Sequence, residues 1–165
     1  MRDLLGDVQY PELPAGMDFR DAHALITDAI REAARRAPER FFDVLEREPG
    51  LLESHEVVWA LGGIRDERAI PLLLRVLQRG DSMLRWSAAC GLETRRDRRV
   101  VDGFIAAIAD RAPSVRAVVF RALGKMRAKR AMPALREAAK KRSNAKDAYL
   151  TKLIAQALTK LGGVP

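Results

Sequence analysis

The sequence predicts an all-α solenoid of stacked helix pairs, and three observations carry the prediction. The first is a repeat. Trp59-Ala60-Leu61-Gly62-Gly63-Ile64-Arg65-Asp66-Glu67-Arg68-Ala69-Ile70-Pro71-Leu72-Leu73 is echoed thirty-one residues later by Cys90-Gly91-Leu92, Arg99-Val100-Val101 and Phe104. Another thirty-one residues on come Arg121-Ala122-Leu123-Gly124 and Arg130-Ala131-Met132-Pro133-Ala134-Leu135. The second is punctuation: a Gly or small polar break falls mid-repeat and Pro opens the second half, the pattern of helix–turn–helix units that bury their faces only by stacking. The third is composition. Apolar residues make up 48% of the chain and aromatics only 5%, which suits closely packed helices rich in Ala and Leu. A length of 165 residues holds four to five helix pairs as one domain.

Taken in order, residues 1–17 read as a non-repetitive leader broken by Pro11, Pro14 and Gly16. Its Leu4, Leu5, Val8, Tyr10, Leu13 and Met17 are more apolar than a free tail, so it is expected to lie against the body, with the outer tryptophans described below as its first destination. Residues 18–165 form a single solenoid. A capping pair spans 18–50: Asp18 or Asp21 caps a helix running to about Arg36, Pro38 starts a second, and Pro49-Gly50 ends it. Regular repeats follow at 53–80, 83–111 and 114–142, with Asp81 or Ser82 and Pro113-Ser114 as start signals. The linker Lys140–Lys146 is longer than the others and shifts the spacing to thirty-five, from Leu123 to Leu158. A terminal helix at 147–161 closes the stack before Gly162-Gly163.

From Val57 to Gly162 the chain resembles the HEAT repeat superfamily, in particular the short bacterial repeats similar to those of phycobilisome lyases. The resemblance rests on Val115-Arg116, Ala122-Leu123-Gly124, Asp66, Ala69-Ile70-Pro71 and Ala131-Met132-Pro133. The second repeat departs from it, with Glu93 and Asp102 where Gly and Pro are usual. The resemblance implies a right-handed α-solenoid that acts mainly as a binding scaffold. It also implies that Arg85 and Arg116 tie neighbouring repeats together, through acids such as Asp81.

Charge is divided unevenly. Residues 1–60 carry 7 Arg and 13 Asp or Glu, a net of −6, whereas residues 61–165 carry 23 Lys or Arg and 9 Asp or Glu, a net of +14. A basic half of this strength attracts nucleic acid, an acidic protein surface or the acidic half of a second copy. The lone Cys90 excludes an internal disulfide, and no apolar run approaches the roughly 18 residues of a membrane span. With no secretory-type apolar core near Met1, a soluble cytoplasmic protein is expected.

Stacking the repeats turns sequence columns into surface columns. On the second helices the concave column is expected to hold Leu72, Arg75 and Arg79, then Gly103, Ala106 and Asp110, then Ala134, Glu137 and Lys141. Its small-residue floor either admits a partner segment or reflects crowding between neighbouring helices. Charges of both signs favour a protein partner. On the outer face of the first helices, His55, Trp59, Trp86 and Cys90 form an apolar patch, a route to oligomerisation if the leader leaves it open. In the turns, Arg65, Arg96 and Arg127 with Arg68, Arg99 and Arg130 line one edge, the ridge on which nucleic acid would bind.

Catalytic chemistry is poorly represented. His55-Glu56 resembles the His-Glu motif of deoxyhypusine hydroxylase, but it occurs once, and His23 lacks a following Glu. No Ser-His-Asp set or phosphate-binding Gly loop is present. The expectation is a non-enzymatic, cofactor-free protein-interaction scaffold using its concave face, with nucleic-acid binding on the ridge as the alternative.

Overall fold

The computed structural model describes residues 1–9 and 11–162, so Tyr10 of the leader and Gly163 of the expected stop signal lie outside the described residues. The chain is an all-α solenoid of two layers. The first layer stacks α2 (Phe19–Arg36), α4 (His55–Gly63), α6 (Ser82–Leu92), α8 (Pro113–Lys125) and α11 (Ala148–Lys160), each against the next. The second layer holds α3 (Pro38–Arg47), α5 (Ala69–Arg79), α7 (Arg98–Ala107) and α9 (Met132–Lys140). A short α1 (Arg2–Leu5) precedes them, and a one-turn α10 (Arg142–Ala145) fills the long linker before α11.

Local chemistry sets the helix starts. Carboxylates of Asp18, Asp81, Asp97 and Asp147 accept from the first free backbone N–H groups of α2, α6, α7 and α11, at 2.6–3.1 Å. Pro38 and Pro113 occupy first-turn positions of α3 and α8, where a missing N–H costs nothing. The buried faces of the two layers meet in one core that runs the length of the stack, through Phe41, Leu61, Leu73, Phe104, Phe120 and Ile154.

Two arginines brace this core from inside. Arg85 donates from Nε and Nη2 to the carboxylate of Asp110 at 2.8 Å and from Nη1 to the Gly80 carbonyl at 2.8 Å. Arg116 donates to Asn144 Oδ1 at 2.8 Å and to the carbonyls of Asp110 at 2.7 Å and Arg111 at 3.2 Å. Asn144 in turn donates to the Ala138 carbonyl at 2.8 Å. The expected partner, Asp81, is instead consumed in capping α6. The tie is made one helix later by Asp110, because the guanidinium reaches forward to the end of α7.

Glycines set how closely the first-layer helices approach. A Cβ on Gly91 would stand 2.6 Å from the Gly62 Cα, so α4 and α6 touch backbone to backbone. Gly124 meets Ala157 of α11 in the same way, with 3.0 Å between its would-be Cβ and the Ala157 Cα. The middle seam differs. Glu93 stands one repeat period after Gly62, and α6 and α8 are joined there by ion pairs to Arg121 and Lys125.

Removing one partner of the Arg85–Asp110 pair strands a charge in the core, since the two side chains are only 5% and 9% exposed. Asp110→Ala is expected to cost about 3–5 kcal/mol, a fall in Tm on the order of 10 °C by thermal melting. The double variant Arg85→Met/Asp110→Leu should recover most of that loss.

Candidate functional site

Three surfaces come from the sequence columns, and the structure treats each differently. On the second layer, Leu72 is core: α5 is gripped by α4, α6 and α7, and its buried arc takes in Ile70, Leu72, Leu73, Val76 and Leu77. The stripe through positions 72, 75 and 79 therefore leaves the core at Arg75 and Arg79 but not at Leu72. Asp110 is likewise removed from the face, because its carboxylate is committed to Arg85 and to the Ala112 N–H. Gly103 faces the tip of Leu74, with its would-be Cβ 2.4 Å from Leu74 Cδ2, so the neighbouring α5 side chain fills the space beside it. Arg75 and Arg79 are exposed and stand on one cleft of about 280 Å3, which also takes in Leu52, Val76, Gly80 and Leu84. Ala106, Glu137 and Lys141 are exposed further along, with Glu137 accepting from Lys140 Nζ at 2.7 Å.

The outer face of the first layer carries a ladder of rings. Trp59 and Trp86 stack with centroids 6.1 Å apart, His55 stacks on Trp59 at 6.4 Å, and His23 and Phe19 extend the row onto α2. His23 Nε2 lies 3.3 Å from His55 Nδ1, and His55 Nε2 lies 2.9 Å from the buried Ser87 hydroxyl. Among its described residues the leader does not cover these rings. Its Leu4 and Leu5 are buried against α2 and α3, while Trp59 keeps 36% of its surface exposed. Cys90, beside Trp86 on α6, is half-buried, and burial pushes its thiol above the ordinary range. Sequence reasoning missed His23 and Ser87 here. The signal was present, because His23, His55 and Ser87 are spaced thirty-two and thirty-two apart, so the repeat register extends into α2.

Along the turn edge the structure separates spent charges from unspent ones. Arg68 pairs with Asp66 and Glu39 and lies over the Phe42 ring, Arg99 pairs with Asp97, and Arg130 pairs with Asp102. Arg95 is turned inward, donating to the carbonyls of Gly62 and Ile64, and burial with the neighbouring Arg65 pulls its pKa down. Arg65, Arg96 and Arg127 have no carboxylate partner among the described residues, and neither do Arg98 and Lys129. Two open clefts lie between the turns, of about 430 and 610 Å3. Arg65 lines the first and Arg127 the second, and both share Arg96 and Asp97.

Arg127 sits in an unusual backbone state, φ 51°, where glycine is favoured. The turn after α8 requires it: the Ala128 N–H reaches back to the Leu123 carbonyl at 3.1 Å, closing the helix in the manner normally given to a left-handed glycine. Nearby, Glu93 accepts from Arg121 at 2.7 and 2.8 Å and from Lys125 at 2.8 Å. The Arg121 hydrogen bonds, with help from Lys125, hold its carboxyl at about 2 despite partial burial. No three His, Cys, Asp or Glu side chains converge as a metal set among the described residues. No helix among them is long and apolar enough to cross a membrane.

Two layers of repeated helix pairs, braced by buried guanidinium groups and presenting open surfaces, define a helical-repeat solenoid. Family comparison agrees: the model described as HEAT repeats matches residues 80–159, and the PBS lyase HEAT-like repeat matches residues 55–79. The two matches run without a gap from 55 to 159, and the chain belongs to the HEAT repeat superfamily. Repeats of this kind are commonly protein-interaction scaffolds and generally non-catalytic. No curated protein matches the chain.

Two measurements check this geometry. A folded-state carboxyl held below its unfolded value contributes stability above the unfolded pKa and loses it as pH falls toward the folded one. Glu93 should therefore lend stability that is complete above about pH 4.5 and is lost as pH falls toward about 2. The contribution is on the order of 2 kcal/mol once screening at the half-exposed Lys125 is allowed for. Chemical denaturation at pH 6 and pH 3 should show a smaller pH dependence in Glu93→Gln than in the wild type. Separately, Arg127→Gly is expected to relieve about 1 kcal/mol of backbone strain and raise Tm by about 2–4 °C in thermal melts.

Proposed function

We propose that the chain is a non-catalytic scaffold that holds a protein partner on its second-layer face, at the cleft between the 49–53 turn and α5. The observation that carries this reading is the chemistry of that cleft. Leu52, Val76 and Leu84 supply an apolar floor, and Arg75 and Arg79 stand over it; Glu53 shares the rim, but neither arginine is ion-paired among the described residues. Apolar anchors in desolvated pockets and charge-complementary rims are the features that give protein interfaces their affinity and register. The matching partner segment presents one apolar side chain flanked by Asp or Glu. Exposed Ala106, Glu137 and Lys141 continue the same layer along α7 and α9, where a longer segment would run.

Selection from a random peptide display library against the immobilised protein tests this directly. Sequences with a single apolar residue between carboxylates should be enriched, and Arg75→Glu/Arg79→Glu should weaken their binding at least about tenfold, the loss of more than about 1.4 kcal/mol. Enriched peptides that bind the double variant unchanged would remove the cleft as the contact surface.

A further inference from the structure

We propose that the ridge formed by the turns within the repeats is a second binding site, and that it holds the phosphate backbone of duplex nucleic acid. It uses an edge of the solenoid separate from the Arg75–Arg79 cleft and stands independently of that reading. The argument begins with which charges are available. Asp66, Asp97 and Asp102 each have a basic partner and neutralise Arg68, Arg99 and Arg130, while Glu93 is shared between Arg121 and Lys125. Arg65, Arg96, Arg98, Arg127 and Lys129 are left uncompensated, opposed locally by Glu67 on the rim of the first cleft.

Their arrangement suits a polymer better than a single anion. Arg65, Arg96 and Arg127 recur at thirty-one residues, one per repeat. Stacked helices advance by about 8–10 Å, so these three form a row that can follow a chain of regularly spaced negative charges. The two clefts between them adjoin at Arg96 and Asp97, which line both, so the row of cations borders two neighbouring open clefts. Guanidinium groups match phosphate oxygens through paired N–H donors.

The clefts also lack what other partners need. Among the described residues the exposed large apolar side chains are Leu13, Phe19, Leu25, Trp59, Met83 and Tyr149, and none belongs to a turn within a repeat. A protein interface requires such anchors, and single-stranded nucleic acid requires aromatic platforms for its bases. Contacts to a duplex backbone need neither, because they carry affinity through charge alone. Arg127 adds independent weight. A left-handed position that favours glycine is occupied by a cation aimed at the ligand's edge of the fold, so charge is kept there against backbone strain.

The test is fluorescence anisotropy of a labelled DNA duplex across a salt series, using the full chain. The expected result is micromolar or tighter binding at physiological salt, with a log–log slope of about −4 to −5 if all five free cations meet phosphates. Arg65→Gln/Arg96→Gln/Arg127→Gln should flatten the slope by about 3 and weaken binding at least about tenfold. Arg142→Gln/Lys146→Gln/Lys152→Gln removes the same charge elsewhere and should change affinity by no more than about twofold. Arg127→Gly should bind more weakly while melting higher, which separates lost contact from lost folding. Equal losses in the two triple variants would overturn the proposal, as would absence of duplex binding at physiological salt. Preferential binding of poly-L-glutamate through the same arginines would overturn it in favour of an acidic protein. None of these results bears on the peptide cleft, which no ridge residue lines.

Discussion

The carboxylate of Asp110 is where the stack is held together. It accepts from Nε and Nη2 of Arg85 and from the N–H of Ala112, while the Asp110 backbone carbonyl receives Arg116 from the next repeat. One residue at the end of α7 thus joins the helix before it to the helix after it. Arg116 passes the same logic on to Asn144, which is anchored to the Ala138 carbonyl. A buried guanidinium needs nearly all of its donors satisfied, and those donors have fixed directions. The two braces therefore fix how α6 and α8 sit on the chain ends that follow α7 and α9, a register that apolar contacts alone leave loosely defined.

The fold was legible because its signals are local and repeated. The period of thirty-one residues places the pairs, and Asp or Pro at most starts and Gly at the seams place most helix ends to within two residues. The second helix of the middle repeat is the exception, ending at Ala107 rather than near Asp110. Pairings across repeats were harder to read. Asp81 and Asp110 are both acids near helix ends, and only the spatial reach of Arg85 decides between them. Leu72 was misplaced because a helix wheel gives directions but not how wide an arc the neighbours cover, and α5 has neighbours on three sides. Asn144 escaped notice because the linker looked like a charged loop, whereas it turns into a short helix with that side chain inside. The leader's route was not legible either, since a cluster of leucines says that a segment docks and not where.

The basic character of the chain looks different once pairing is known. A net +8 describes the sequence, but the surface is governed by which guanidinium groups remain uncommitted. Six of the ridge arginines divide evenly, with Arg68, Arg99 and Arg130 neutralised and Arg65, Arg96 and Arg127 left open. The ring ladder on the opposite layer is a different kind of surface, held by stacking and by the contacts of His55 with His23 and Ser87. Its members fix one another in place, so the tryptophans are presented as a rigid strip rather than as independent side chains.

The seams between first-layer helices are not filled alike. Where Gly62 meets Gly91 and Gly124 meets Ala157, the helices approach until a Cβ would collide with the opposite backbone. Where Glu93 stands in the place of glycine, α6 and α8 are bridged instead by charged side chains, one of them half exposed. That ion-paired seam ends at the larger of the two turn clefts, lined by Lys125, Met126 and Arg127 on one side and Arg96 to Arg98 on the other. The departure of the second repeat from glycine therefore places a charged joint, rather than a bare backbone contact, beside the free cations Arg96 and Arg127.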